Sequence, residues 1–402
     1  MITDLDQVFS TNIKGMKRSA IRELLKLIEQ PDIISFAGGL PSPDSFPVEE
    51  LKGIIAEMME TEPQIALQYG ATEGDTLLRN MLVNRYRSQG IDISLQNIVI
   101  TTASQQALDL IAKMLIDRGD YGIVGLPSYL GGLSAFNSYG ANLIGIPMDD
   151  EGEDPNIMED NLKKIQAMGK RCKFMYLIPD FQNPAGITMS EQRRKDIISL
   201  AHKYNVLILE DSPYRELRYE GTPQKTVYEL DGTGQVLLLG TFSKIFCPGF
   251  RIGWVIGHPD LLDKIVVGKQ ATDLCTPPFT QRIAARYMEK GYLDRKIKDI
   301  VAMYTVKQKQ MMQLLADNMP DTYKWTHPEG GLFLMVTGPE HINTAELLKD
   351  ALLEEKVAYV EGSSFFCDGS GKNTMRLNFS YETAEKNEEG IKRLGRFLKK
   401  HA

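Results

Sequence analysis

The 402-residue sequence has few of the features that point directly to a function. Cysteine is scarce. Cys172, Cys247, Cys275 and Cys367 include no C-x-x-C pair, and none stands beside a histidine at metal-ligand spacing. That argues against a disulfide framework and a zinc site. Positive charge is not in excess: 46 Lys and Arg face 53 Asp and Glu, for a net charge of −7. A non-specific nucleic-acid binder needs a basic surface, so nucleic acid is not an expected partner, although a local anion site is still allowed. The N-terminus has no basic region followed by an apolar run, so no secretory signal is visible. With so few cysteines, the expectation is a cytoplasmic protein. Nor is there a clean membrane span. The uncharged stretch Tyr121–Met148 comes nearest, but Gly122, Gly125, Pro127, Gly131, Gly132, Gly140, Gly145 and Pro147 divide it. It reads as a buried strand–turn–helix–strand, and no membrane partner is expected. Internal repeats, a G-x-G-x-x-G after a strand, a G-x-S-x-G elbow and H-E-x-x-H are all missing. Gly369-Ser-Gly371-Lys372-Asn373-Thr374 imitates a P-loop, but Phe366 occupies the place of its first glycine and Asn373 that of its Ser/Thr. It reads as a turn between strands.

What remains has ordinary globular composition, 43% hydrophobic and 25% charged, and the length suits two or three domains. Lys17 to Gln30 reads as a helix, with Ile21, Leu24, Leu25 and Ile28 on one face. A Gly- and Pro-rich loop comes next, Ser35 to Pro47. Short apolar runs then alternate with helical stretches such as Gln105–Leu115 and Ser190–Tyr204. The runs are Ile98–Ile100, Gly122–Val124, Leu143–Ile146, Phe174–Ile178, Val206–Leu209, Val236–Leu239 and Trp254–Ile256. They are nearly continuous in Val, Ile and Leu, as strands buried on both faces are. Seven such runs predict an α/β domain with a mainly parallel sheet. Beyond it, a long helix Tyr292–Asn318, a strand Gly331–Thr337, a helix Thr344–Lys356 and a strand Met375–Ser380 predict a smaller α+β domain. The expected division is an N-terminal segment 1–40 packing with the small domain, a large domain 41–288 and a small domain 289–402.

Ligands of open α/β sheets bind beyond the carboxyl ends of the strands. There the sequence places Ser104-Gln105, Tyr129, Asn183, Asp211 with Tyr214, and Thr241-x-Ser243-Lys244 with Arg251. Ser104-Gln105 opens a helix, whose free N–H groups suit a phosphate. Thr241 and Ser243 add hydroxyls, and Arg251 adds a bidentate cation. Tyr129 can stack a flat ring. Asp211, at a buried strand end, needs a cationic partner, and a protonated pyridine nitrogen is one. Asn183 and Tyr214 can hydrogen-bond a phenolate oxygen. Lys244 is an amine able to form a Schiff base with an aldehyde. Phosphate, ring, ring nitrogen, ring oxygen and aldehyde together describe pyridoxal 5'-phosphate. No metal is expected.

The carriers Ser104-Gln105-Gln106, Asn183-Pro184-x-Gly186, Asp211-x-x-Tyr214, Ser243-Lys244 with Arg251, and Arg376 in Asn373-Thr-Met-Arg-Leu-Asn-Phe379 resemble the fold-type I, class I/II pyridoxal-phosphate aminotransferases over nearly the whole chain. Ser35-Phe-Ala-Gly-Gly-Leu-Pro41 and Leu67-Gln-Tyr-Gly70 look like their aminoadipate/kynurenine branch. The resemblance implies that Lys244 is the Schiff-base lysine and Asp211 and Tyr214 are its catalytic companions. It also implies that Arg376 binds the substrate α-carboxylate with Asn183 nearby, and that Gly39 lies against the substrate. A homodimer is implied, with Tyr69 reaching the other subunit's phosphate, as is a mobile-helix Arg22 able to meet a side-chain carboxylate. The implied activity is a ping-pong transfer of an amino group from an L-amino acid to a 2-oxo acid, with 2-oxoglutarate as the expected acceptor. A lyase on the same scaffold stays open, because reaction choice depends on small differences around one cofactor. A non-enzymatic sensor, the effector part of a transcription regulator, ranks lower, since only about 35 residues precede the Ala-Gly-Gly-Leu-Pro loop. A nicotinamide dehydrogenase is opposed by the missing glycine fingerprint.

Overall fold

A computed structural model describes residues 4–16 and 32–401. The expected helix Lys17–Gln30, and Arg22 with it, lie outside the described residues.

The expected sheet is present. Its strands are β2 (Ile98–Thr101), β3 (Tyr121–Leu126), β4 (Asn142–Asp149), β5 (Gly152–Glu153), β6 (Cys172–Leu177), β7 (Leu207–Asp211), β8 (Val236–Thr241) and β9 (Gly253–Ile256), in the order β2-β9-β8-β7-β6-β3-β4-β5. Pairing is parallel from β4 through β3, β6 and β7 to β8, while β9 runs antiparallel to both β8 and β2. β2 and β8 are buried along their whole length, as their Val, Ile and Leu runs require. Two details differ from the sequence reading. Residues 143–146 belong to a longer, partly exposed strand near the sheet edge, not to one buried on both faces. An eighth strand, β5, is only two residues long and carries no periodicity to read.

Helices cover the sheet. Glu191–Tyr204 begins one residue later than its sequence pattern because Ser190 caps it, its Oγ accepting from the Arg193 N–H at 3.2 Å. It ends where Asn205 turns left-handed, at φ 51°.

A second, four-stranded sheet runs β10 (Lys324–Trp325), β11 (Phe333–Thr337), β14 (Thr374–Asn378) and β13 (Val360–Glu361), all antiparallel. Met335 and Val360 both pair with Arg376, which puts that arginine on an interior strand. A parallel pair, β1 (Ile34–Ser35) with β12 (Val357–Ala358), ties the segment after residue 32 to this part of the chain. Ile34 and Phe36 share an apolar cluster with Met311, Leu315, Leu377, Ile391, Leu394 and Phe397. The last three lie on the helix Ala384–His401, which approaches closely because of Gly390, where a Cβ would stand 2.6 Å from Phe36 Cζ.

Candidate active site

Strand register assembles the rim. Thr101 and Thr241 both pair with Gly253, and Asp211 pairs with Leu239 two residues upstream on β8. The ends of β2, β9, β8 and β7 therefore lie side by side, and the segments leaving them meet above the sheet.

Lys244 comes three residues after β8. Its Nζ donates to the Gly39 carbonyl at 2.6 Å, which brings the Gly39 loop against this amine. Burial, reinforced by the nearby positive charges of Arg376 and Arg251, lowers its pKa to about 8. An amine so placed is a nucleophile and a proton carrier near neutral pH.

Asp211 is buried at the end of β7. Its Oδ2 accepts from Tyr176 Oη at 2.8 Å, and its Oδ1 has no partner among the described residues. Burial raises its pKa to about 7, with the Tyr176 hydrogen bond opposing. Arg376 is the converse case. Its fully buried guanidinium donates from Nη1 to Asn183 Oδ1 at 3.0 Å and from Nη2 to the Ala37 carbonyl at 2.8 Å, and Nε has no partner among the described residues. It lies over the Phe333 ring at 4.1 Å. No described carboxylate pairs with it, and burial lowers its pKa to about 10. Asn183 joins the two halves of the site, because its Nδ2 donates to Tyr214 Oη at 3.1 Å. Burial raises the Tyr214 pKa. Among the described residues, one site thus holds a buried carboxyl without a cation and a buried cation without an anion, each costly unless a ligand answers it.

The hydroxyl cup also forms. Thr241 Oγ1 and Ser243 Oγ are 2.9 Å apart, and Ser104 Oγ is 3.5 Å from the Gly240 carbonyl. Gln105 Nε2 donates to the Gly131 carbonyl at 2.9 Å, and a Cβ on Gly131 would strike both Gln105 and the Tyr129 ring. Ser104, Gln105, Tyr129, Thr241 and Ser243 therefore share one neighbourhood. Arg251, left-handed at φ 53°, bonds its own turn at Pro248 O and is exposed, although its charge is felt by Lys244. Tyr69 is 80% exposed.

Three contributors went unread in the sequence. Tyr176 sits mid-strand within an apolar run, and its role depends on β6 lying next to β7. Phe333 and Phe365 flank Arg376 from the small sheet and the turn after β13. No spacing signal marks either. Among the described residues no group of three metal-ligating side chains occurs, and no helix is long and apolar enough to cross a membrane.

Comparisons with known proteins agree with this geometry. The family model "Aminotransferase class I and II" matches residues 32–394. The chain is 48% identical to aromatic-amino-acid aminotransferase 1 of Thermococcus litoralis over 98% of its own length and 95% of that protein's. It is 36% identical to 2-aminoadipate transaminase of Thermus thermophilus over 98% and 97%. A crystal structure of Pyrococcus horikoshii kynurenine aminotransferase, in complex with PMP, superposes with a TM-score of 0.95 at 47% identity, covering 100% of this chain and 99% of that one.

Proposed function

The chain belongs to the class I and II aminotransferases, and from that premise we propose that it is a pyridoxal-phosphate-dependent transaminase whose site is the one described above. One observation carries the reading: Asp211 and Arg376 are buried, opposite in charge and, among the described residues, unanswered within one site. A pyridinium nitrogen answers the first and an amino-acid carboxylate the second. The remaining residues fit the same cofactor: Tyr214 and Asn183 for the ring oxygen, Ser104, Gln105, Thr241, Ser243 and Arg251 for the phosphate, and Tyr129 for the ring face.

When bound, pyridoxal phosphate supplies an aldehyde to hold the amino group and a ring to accept the electron pair left on Cα. The chain does the rest. Lys244 would hold the cofactor through its Nζ and, once a substrate amine takes its place, would accept the Cα proton as a base and return it as an acid. Asp211 keeps a proton on the ring nitrogen. Arg376 fixes the α-carboxylate and so orients the Cα–H bond, with Gly39 close by the amine of Lys244. A 2-oxo acid, 2-oxoglutarate in our reading, reverses the steps.

For the donor we favour an aromatic or 2-aminoadipate-like L-amino acid. The relatives named above, an aromatic-amino-acid, a 2-aminoadipate and a kynurenine aminotransferase, support that choice. The test is a half-reaction screen, each amino acid mixed with the holoenzyme and loss of the cofactor's visible absorbance monitored. No response to any amino acid would refute transamination. Release of ammonia, with the absorbance regained in the absence of any 2-oxo acid acceptor, would favour a lyase.

Two arginines divide recognition in this proposal. Arg376→Lys keeps the charge but loses the bidentate fork. It is expected to lower kcat/KM for all donors alike, by about 1.5–3 kcal/mol. Arg22→Ala is expected to weaken glutamate and 2-aminoadipate selectively, by about 1–3 kcal/mol, and to spare leucine. Equal losses on glutamate and leucine would leave Arg22 without a substrate role.

A homodimer with shared sites belongs to the same proposal, as do the domain division at residues 40 and 288 and a cytoplasmic location, the latter supported by four unpaired cysteines. Tyr69 and its neighbour Leu67, 80% and 66% exposed, offer a surface suited to a second copy. Mixing Lys244→Ala with Tyr69→Phe subunits is expected to restore activity, since each hybrid contains one site with both residues intact. Hybrids that form but stay inactive would exclude Tyr69 from acting across the interface.

A further inference from the structure

Beneath the turn that opens the helix Ala103–Leu115 lies a buried cation with no part in the chemistry above. Lys269, on the helix Pro259–Gln270, is fully buried. Its Nζ donates to Gln106 Oε1 at 2.7 Å, to both carboxylate oxygens of Asp273 at 2.9 and 3.0 Å, and to Thr276 Oγ1 at 3.0 Å. The same acceptors hold Thr102. Gln106 Oε1 accepts the Thr102 N–H at 2.8 Å, Asp273 Oδ2 accepts the Thr102 hydroxyl at 3.0 Å, and Thr276 Oγ1 lies 3.2 Å from that hydroxyl. Gln106 Nε2 closes the ring by donating to Asp273 Oδ2 at 2.6 Å.

Thr102 precedes Ala103, whose φ is +59°. An alanine keeps that left-handed conformation only where its surroundings enforce it. The opposite side is equally constrained. A Cβ on Gly253 would stand 2.6 Å from Ala103 C and 2.7 Å from Ser104 N, so β9 lies directly against the turn. A buried ammonium is a costly way to stabilise a helix, and an apolar side chain of similar volume would serve packing as well. The arrangement makes sense as a device for geometry. Asp273 neutralises the ammonium, so Lys269 acts through hydrogen bonds and not as a second cation for the ligand.

We propose that Lys269, with Gln106 and Asp273, is a positioning element that locks the Thr102–Ala103 turn and so keeps the first N–H groups of the helix presented to the cofactor phosphate. This rests on the cofactor reading above. The test compares two ligands of the ligand-free full-length chain, pyridoxal phosphate and pyridoxal, which lacks the phosphate. Partners behind a ligand-binding group typically change affinity by about 10–100-fold, and a loss of that size for pyridoxal phosphate is expected in Lys269→Met and in Gln106→Leu. Pyridoxal binding should stay unchanged in both. Gln106→Leu keeps the Lys269–Asp273 pair, and it decides the matter if Lys269→Met does not fold. Equal weakening of both ligands, or unchanged pyridoxal phosphate affinity in folded variants, would overturn the proposal. Wild-type protein that bound neither ligand would instead overturn the cofactor reading.

Discussion

Lys244→Ala is expected to lose turnover by at least about 10²–10⁴-fold, the contribution of positioned proton transfer alone, with the loss of covalent exchange added. The fold should survive, since among the described residues the side chain makes one hydrogen bond, to the Gly39 carbonyl. Pyridoxal phosphate should still bind, held non-covalently by the ring and phosphate contacts proposed above. Borohydride reduction of the wild-type holoenzyme and subsequent peptide mapping should find the label on Lys244. A label on any other lysine would remove the assignment. The pKa adds a second, independent reading. Only the neutral amine attacks an aldehyde, and burial with Arg376 and Arg251 nearby brings its pKa from 10.5 down to about 8. Below pH 8 the ammonium dominates, and above it the free amine. The rate at which the ligand-free chain captures pyridoxal phosphate should therefore rise with pH and level off just above 8. A rise continuing toward pH 10.5 would mean that neither burial nor the two arginines act on this amine.

Lys244, Asp211 and Asn183 were legible because parallel strands buried on both faces are written as unbroken Val, Ile and Leu runs. Residues just past the end of such a run sit on the ligand side of the sheet. Chain order is enough for that. Tyr176 was not legible, because its bond to Asp211 depends on β6 neighbouring β7, which no local pattern encodes. Phe333 and Phe365 are hidden for the same reason, being brought to Arg376 by packing of the small sheet. The strands β1, β5, β10, β12 and β13 are two residues each, too short for any period to register. The helix Ala384–His401 is different. Ile391, Leu394 and Leu398 stand at helical spacing and could have been read. The Lys269 network sends no signal at all, because a lysine and an aspartate four apart in sequence normally mark a solvated surface. Only burial distinguishes this pair.

Asp211→Asn is expected to act in opposite directions on stability and on catalysis. In the ligand-free chain, burial raises the Asp211 pKa from 3.8 to about 7. Between those values the native state holds a proton that the unfolded state has released, so stability falls as pH rises from about 4 to 7. Above pH 7 the whole cost is present, about 4 kcal/mol at about 1.4 kcal/mol per pKa unit. Asparagine does not titrate, and its amide oxygen can still accept from Tyr176. The ligand-free variant should therefore melt higher than wild type at pH 8, with the difference vanishing near pH 4. Catalysis should go the other way. A neutral amide cannot keep the ring nitrogen protonated, and truncating one member of a buried charge pair costs about 2–5 kcal/mol, or about 30- to 5,000-fold in kcat/KM. Exchange of the Cα hydrogen should slow by the same factor, which separates this role from one in substrate binding. Cofactor binding should also remove Asp211's share of the wild-type stability slope between pH 4 and 7, because a pyridinium partner removes the reason for the raised pKa. In the variant that share is absent, while the share of Glu153, whose pKa burial also raises to about 7, is common to both chains. A wild-type chain whose melting temperature tracks the variant's from pH 4 to 8, or unchanged Cα exchange, would show that the unpaired oxygen of Asp211 does not await a cation.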